Sequence, residues 1–268
     1  MKKIFILLIL FLFPVIVQCQ TKDMKKNMSK KELVWSDEFD YNGLPDAKKW
    51  GFEYGLLRFN NEPQYYTNER LKNTRVADGN LIITVYKEDF ENGKYTSGRI
   101  NTKGKFEFTY GRVEVRAKLP VGRGVWPAIW MLGANYDLVH WPLCGEIDIM
   151  EYFGHNPNTI TANVHTKDYN HAKGTSRGGK IICEKPWENF HIFAVEWYPD
   201  RLDFSFDDTM YFSCKKKGEG IGEWPFDEPQ YLLLNLALWN NWAGQPGIDD
   251  SIFPQEFLVD YVRIYNLK

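Results

Sequence analysis

Gly145-Glu146-Ile147-Asp148-Ile149-Met150-Glu151-Tyr152 sets three carboxylates among large apolar side chains, and its Ile/Ile alternation reads as a β-strand. In an extended strand Glu146 and Asp148 share one face while Ile147 and Ile149 take the other, so a core side and an acidic side are written into one segment. Glu151 stands at an odd offset from Glu146 and would point into the core. One extra residue taken up as a β-bulge between Asp148 and Glu151, most simply around Ile149-Met150, returns it to the acidic face, and such bulges are frequent beside active sites. A helix serves worse, because positions five apart are not neighbours on its surface.

Outward from this segment, short strand-like runs separated by turn residues recur. Leu81–Lys87 follows the turn Asp78-Gly79-Asn80, and comparable runs occupy Phe106–Leu119, Ile192–Trp197, Leu202–Phe206, Tyr231–Leu238 and Phe257–Tyr265. In Val113-Glu-Val-Arg-Ala-Lys-Leu119 the alternation is clean, with Glu114, Arg116 and Lys118 opposite an apolar face. No segment of similar length keeps a helical apolar period, which argues for an all-β sandwich.

Three acids on one cleft-facing strand point to glycoside cleavage. A retaining glycosidase needs a carboxylate nucleophile and a carboxylic acid about 5–5.5 Å apart across the glycosidic bond. Glu146 and Glu151 on a bulged, curved strand can approach that separation. Asp148 between them can hydrogen-bond the nucleophile and, by like-charge coupling, help keep Glu151 protonated near neutral pH. An edge strand with a solvated acidic face is the plain alternative for the isolated pattern.

The surrounding residues carry a resemblance. Trp126-Pro-Ala-Ile-Trp130-Met-Leu-Gly133, followed by Trp141-Pro-Leu-Cys-Gly-Glu146-Ile-Asp148-Ile-Met-Glu151, resembles the signature of the glycoside hydrolase family 16 laminarinases, which are endo-1,3-β-glucanases. The likeness continues through Trp35-Ser-Asp-Glu-Phe39, Asn60-Asn-Glu-Pro-Gln-Tyr-Tyr-Thr67, Tyr95-Thr-Ser-Gly-Arg99, Tyr110-Gly-Arg-Val-Glu114 and Asp260-Tyr-Val-Arg263. It implies a β-jelly roll of two curved antiparallel sheets, concanavalin A-like, with substrate across the concave face. It implies Glu146 as nucleophile, Asp148 as its assistant and Glu151 as acid/base, in agreement with the spacing argument. It also implies glycone contacts from Trp126 and Trp130, polar contacts from Asn61 and Arg99, and His165 near the leaving-group side. Glu38, Gly79 and Asp260 match positions at which relatives hold a structural calcium, an oxygen-ligand site suited to that cation; catalysis itself calls for no cofactor.

Aromatic residues make up 16% of the chain, including 10 Trp, which suits a cleft in which pyranose faces stack on indoles. Trp126 and Trp130 are four apart and share a face of a strand, and Trp141 is a third candidate. Trp35, Trp50 and Trp197 are assigned to the core. After Asn235-Leu-Ala-Leu238 many laminarinases continue with a Gly-Gly pair, whereas this chain has Trp239-Asn240-Asn241-Trp242, so Trp239 either fills space or adds a stacking platform at one end of the cleft.

The ends divide the chain into three parts: an export signal over 1–19, a Lys-rich tether over 20–32 and a catalytic domain over 33–268. Lys2-Lys3 and the apolar run Ile4–Val17 make a signal too short for a comfortable membrane span, and Ile16-Val17-Gln18-Cys19 resembles a bacterial lipobox with Gln18 as its departure. The expectation is an exported monomer held to a membrane by lipid on Cys19, with simple secretion as the alternative. Setting Cys19 aside leaves Cys144, Cys183 and Cys214, of which Cys183 and Cys214 could pair in an oxidising compartment. The histidines show no metal-ligand spacing, and a formal net charge of −2 gives no footprint for nucleic acid.

The leading reading is endo-hydrolysis of β-1,3-glucan, with mixed-linkage 1,3-1,4-glucan as a second substrate. The same chemistry on a sulfated galactan such as agar, porphyran or carrageenan would call for Arg or Lys clusters in the cleft. A non-catalytic glucan-binding protein would have no need of the three acids.

Overall fold

A computed structural model describes residues 31–57, 59–239 and 247–267, so Cys19 and the export segment lie outside the described residues. In chain order the strands are β1 (Lys31–Asp37), β2 (Gly51–Phe52), β3 (Gln64–Tyr66), β4 (Thr74–Ala77), β5 (Asn80–Phe90) and β6 (Gly93–Ser97). Then come β7 (Arg99–Asn101), β8 (Gly111–Lys118), β9 (Val125–Gly133), β10 (Glu146–Tyr152), β11 (Thr159–His165) and β12 (Arg177–Ile182). The last are β13 (His191–Tyr198), β14 (Arg201–Phe206), β15 (Thr209–Lys215), β16 (Gln230–Leu238) and β17 (Gln255–Leu267). The α-helix among the described residues is a single turn, Tyr136–Val139.

These strands make the anticipated two-sheet sandwich. The order β12-β11-β10-β9-β16-β7-β2 forms a seven-stranded sheet, and β15-β14-β13-β8-β17-β5-β6-β3, with β1 on β17 and β4 on β5, forms a ten-stranded one. Pairing in the seven-stranded sheet is antiparallel. The larger sheet departs from the wholly antiparallel expectation where β3 runs parallel to β6.

β16 shows how the sequence assigns its faces. Every residue from Gln230 to Leu238 is buried. Leu232, Leu234, Leu236 and Leu238 join the core between the sheets, each worth about 1.5–3 kcal/mol by apolar burial. Tyr231, Asn235 and Ala237, at the intervening positions, line a cleft on the other face. From the facing sheet Val113, Val115 and Ala117 of β8 and Phe193, Val195 and Trp197 of β13 complete the core. Trp50 and Trp197 are buried as expected, and Trp35 packs edge-on against Trp50 at 5.6 Å.

Two boundaries move. β1 begins at Lys31, before the anticipated start at Leu33, because Lys31 and Glu32 pair with Leu267 and Asn266 of the last strand. The run expected from Phe106 becomes strand only at Gly111, because Tyr110 (φ 63°) and Gly111 (φ 127°) turn the backbone where it begins.

Candidate active site

The bulge sits where the carboxylate spacing requires it. Against β9, Asp148 pairs with Trp130 and the next partners are Met150 with Ile129 and Glu151 with Ala128. Against β11, Asp148 pairs with Asn163 and Glu151 with Thr161. One extra residue on β10 therefore returns Glu151 to the face of Glu146 and Asp148, while Ile147 and Ile149 stay in the core. All three acids line a cleft of about 500 Å³. Across the strands from Glu151 stand Ala128 of β9, Asn235 of β16 and Arg99 of β7, and across from Asp148 stand Trp130, Leu233 and Asn101; all of these but Leu233 line the cleft.

The acids are tightly held. His165 Nε2 stands 3.2 Å from Asp148 Oδ2, and ligand-type atoms of Glu146, Asp148 and His165 all lie within 4.8 Å of one another. Glu151 accepts from Asn163 Nδ2 at 2.6 Å and from Trp126 Nε1 at 3.2 Å. Burial pushes the pKa of Glu146 well above the usual carboxylate range, aided by the charge of Asp148 and eased by His165. Asp148 is likewise pushed up by burial and then by the charge of Glu151. Burial raises Glu151 as well, against the opposing hydrogen bond from Asn163, the His165 charge and the indole of Trp126. Close together and buried, the three groups titrate as a coupled unit, each raised by its burial.

The remaining anticipated residues separate into those at the cleft and those behind it. Trp126, Trp130, Trp141 and Arg99 line it. Trp130 donates its indole N–H to Asn235 Oδ1 at 2.7 Å, and the Arg99 guanidinium lies 4.8 Å from its ring centroid. Asn61 is exposed and lies off the cleft lining, where its neighbour Asn60 takes the place; both adopt left-handed backbone, at φ 60° and 53°. His165 is 6% exposed and stands against Asp148, with the rings of the cleft-lining Trp141 and His171 at 6.3 and 5.1 Å. Trp239 lies behind the lining, edge-on to Trp126 at 5.1 Å and to Phe153 at 4.9 Å, so it fills the space that backs the Trp126 indole.

Other cleft residues had gone unassigned. Glu62 is buried at the cleft and accepts from Gln64 Nε2 at 2.6 Å and Tyr66 OH at 3.1 Å. Tyr66 OH in turn accepts from Asn235 Nδ2 at 3.4 Å, which links the loop before β3 to the Trp130 indole. Asn163 was within reach of the sequence, because it shares a strand face with His165 two positions on. Asn235 was equally legible as a lone amide in an apolar run that must find a partner.

Two further readings concern residues away from the cleft. Cys144, Cys183 and Cys214 are free thiols: Cys214 is buried in β15 and Cys183 sits half-exposed beyond β12, so the pairing that the sequence left open is not formed. Glu38 gives both carboxylate oxygens to Arg263, at 3.0 and 2.8 Å, and Asp260 gives Oδ2 to Arg116 at 2.6 Å. Those two carboxylates are thus engaged with guanidinium groups, and Gly79 could offer a cation only its backbone carbonyl.

The sequence pattern of glycosyl hydrolases family 16 matches residues 61–262. The chain is 46% identical to a beta-glucanase of Rhodothermus marinus over 95% of this chain and 93% of that protein. The X-ray structure of the laminarinase from Rhodothermus marinus superposes with a TM-score of 0.85 at 47% identity, covering 89% of this chain and 98% of that one. SCLam, a non-specific endo-beta-1,3(4)-glucanase, superposes with a TM-score of 0.83 at 42% identity, covering 90% of this chain and 92% of that one.

Proposed function

The chain belongs to glycosyl hydrolases family 16, and from that premise we propose that it is an endo-acting, retaining hydrolase of β-1,3-glucan. The observation that carries the reading is the bulge in β10, which aligns Glu146, Asp148 and Glu151 along one cleft beside the indoles of Trp126 and Trp130. Glu146 attacks the anomeric carbon while Glu151 gives its proton to the departing glycosidic oxygen. Glu151 then takes a proton from the water that releases the sugar from Glu146. The positive charge that develops at the anomeric carbon favours the ionised form of Glu146 against its burial, and Asp148, backed by His165, orients it. Trp126 and Trp130 stack on glucose rings, and Arg99 braces the second of them.

Mixed-linkage glucan is a second substrate of the same site, supported by the likeness to a non-specific endo-beta-1,3(4)-glucanase. A sulfated galactan is disfavoured by charge. The cleft cations Arg99 and Lys103 are committed to Glu53 and Asp137, at 2.8 and 2.7 Å, and are not grouped to receive sulfate. A binding-only role would leave the desolvation of three acids without a purpose. Export with lipid on Cys19 belongs to the same proposal and rests on the sequence of the leader alone.

A reducing-end assay on laminarin, mixed-linkage glucan, agarose and carrageenan tests the reading. Laminarin should be cut fastest, to a ladder of internal fragments, with mixed-linkage glucan second. Turnover of agarose or carrageenan above that of both glucans would overturn it.

A further inference from the structure

Asn163 of β11 lies between Asp148 of β10 on one side and Gly178 of β12 on the other. Its Nδ2 donates to Glu151 Oε2 at 2.6 Å. Its Oδ1 lies over Gly178, where an added Cβ would overlap it and come 2.7 Å from Ala162 O. Gly178 does not have positive φ, and glycine weakens the interior of a strand. The absent side chain instead makes the room that Asn163 occupies.

We propose that Asn163 is a positioning residue that aims Glu151 and sets its proton affinity, and that Gly178 is the gap in β12 that allows it to do so. This rests on Glu151 being the acid/base. Among the described residues, the titratable and charged groups around Glu151 are Glu146 and Asp148 on its own strand, His165 of β11 and Tyr211 of β15. Lys180 of β12 stands beyond Thr161, which pairs with Glu151. β9 contributes Trp126 and Ala128, neither of which titrates. Among the influences on Glu151 that oppose burial, the Asn163 hydrogen bond is the largest.

An N–H donated to a carboxylate favours its ionised form, so its removal lets Glu151 keep its proton to higher pH. In Asn163→Ala the alkaline limb of kcat/KM on laminarin should move up by about one pH unit, the worth of a hydrogen bond to a charged group. kcat at the optimum should fall about tenfold, part of what a positioned acid contributes, with KM changed less than about threefold. Gly178→Ala should reproduce the shift, and the double variant should add less than about twofold to either, as coupled sites do.

Profiles of these variants and of Glu151→Gln separate the possible failures. An unmoved alkaline limb in Asn163→Ala beside an inactive Glu151→Gln would overturn the proposal while leaving the acid/base reading intact. An active Glu151→Gln would overturn both. Should Gly178→Ala fail to fold, the Asn163→Ala profile decides alone.

Discussion

Glu146→Gln should lower kcat on laminarin on the order of 10⁴-fold or more, since no covalent intermediate can form without the carboxylate nucleophile. The same substitution should make the protein more resistant to unfolding, by an amount that grows with pH. Burial holds the Glu146 pKa above its unfolded value, so between those two values the folded chain binds more protons than the unfolded one. Stability then falls as pH rises through that window. Gln carries no ionisable group and is spared the loss. Urea denaturation at pH 5 and pH 8 measures it: the excess stability of Glu146→Gln over the parent should be larger at pH 8. A variant that keeps activity within a few-fold of the parent, or that is less stable at pH 8, contradicts the burial of a working carboxyl at this position. Glu151→Gln should lose activity on a comparable scale, and Asp148→Asn less, because Asp148 acts through Glu146.

The second large effect falls on Trp126. This indole is placed to stack on a sugar, donates to Glu151 Oε1 at 3.2 Å, and is backed by Phe153 and Trp239. Loss of the stacking surface in Trp126→Ala is worth about 1–3 kcal/mol by apolar burial, or roughly 5- to 150-fold in oligosaccharide affinity at about 1.4 kcal/mol per factor of ten. Loss of the N–H donor adds a fall in kcat. Trp126→Phe separates the two, since a phenyl ring restores stacking but not the hydrogen bond. Affinity should recover while kcat does not. Calorimetric titration of laminari-oligosaccharides beside steady-state kinetics gives both quantities, and Trp126→Ala within about threefold of the parent in both would remove this residue from the glycone contacts.

How far the sequence could be read depended on whether a residue's task is local. The bulge followed from one strand alone, because an apolar alternation carrying an out-of-phase acid has few ways to resolve. β16 was legible for the same reason, its leucines marking the core face at every second position. What escaped were relations set by register between distant strands. Asn163 reaches Glu151 only because β11 pairs with β10 at Thr161, and Asn235 reaches Trp130 only because β16 pairs with β9. Asn61 and His165 were each carried over from a motif, and in each case one step of backbone geometry decides the outcome. Consecutive left-handed residues put Asn60 on the cleft in place of Asn61, and burial holds His165 against Asp148 beneath Trp141 and His171. Trp239 is the partner of an aromatic cluster that no local pattern announces.

In the proposed double displacement Glu146 and Glu151, brought to one face by the bulge, work as nucleophile and acid/base. Proton NMR of laminarin hydrolysis in its first minutes, before mutarotation, tests it most directly. The newly formed reducing ends should be the β-anomer, the configuration of the bond that was cut. First-formed α-anomer would mean a single displacement by water and would contradict the assignment of Glu146 as nucleophile.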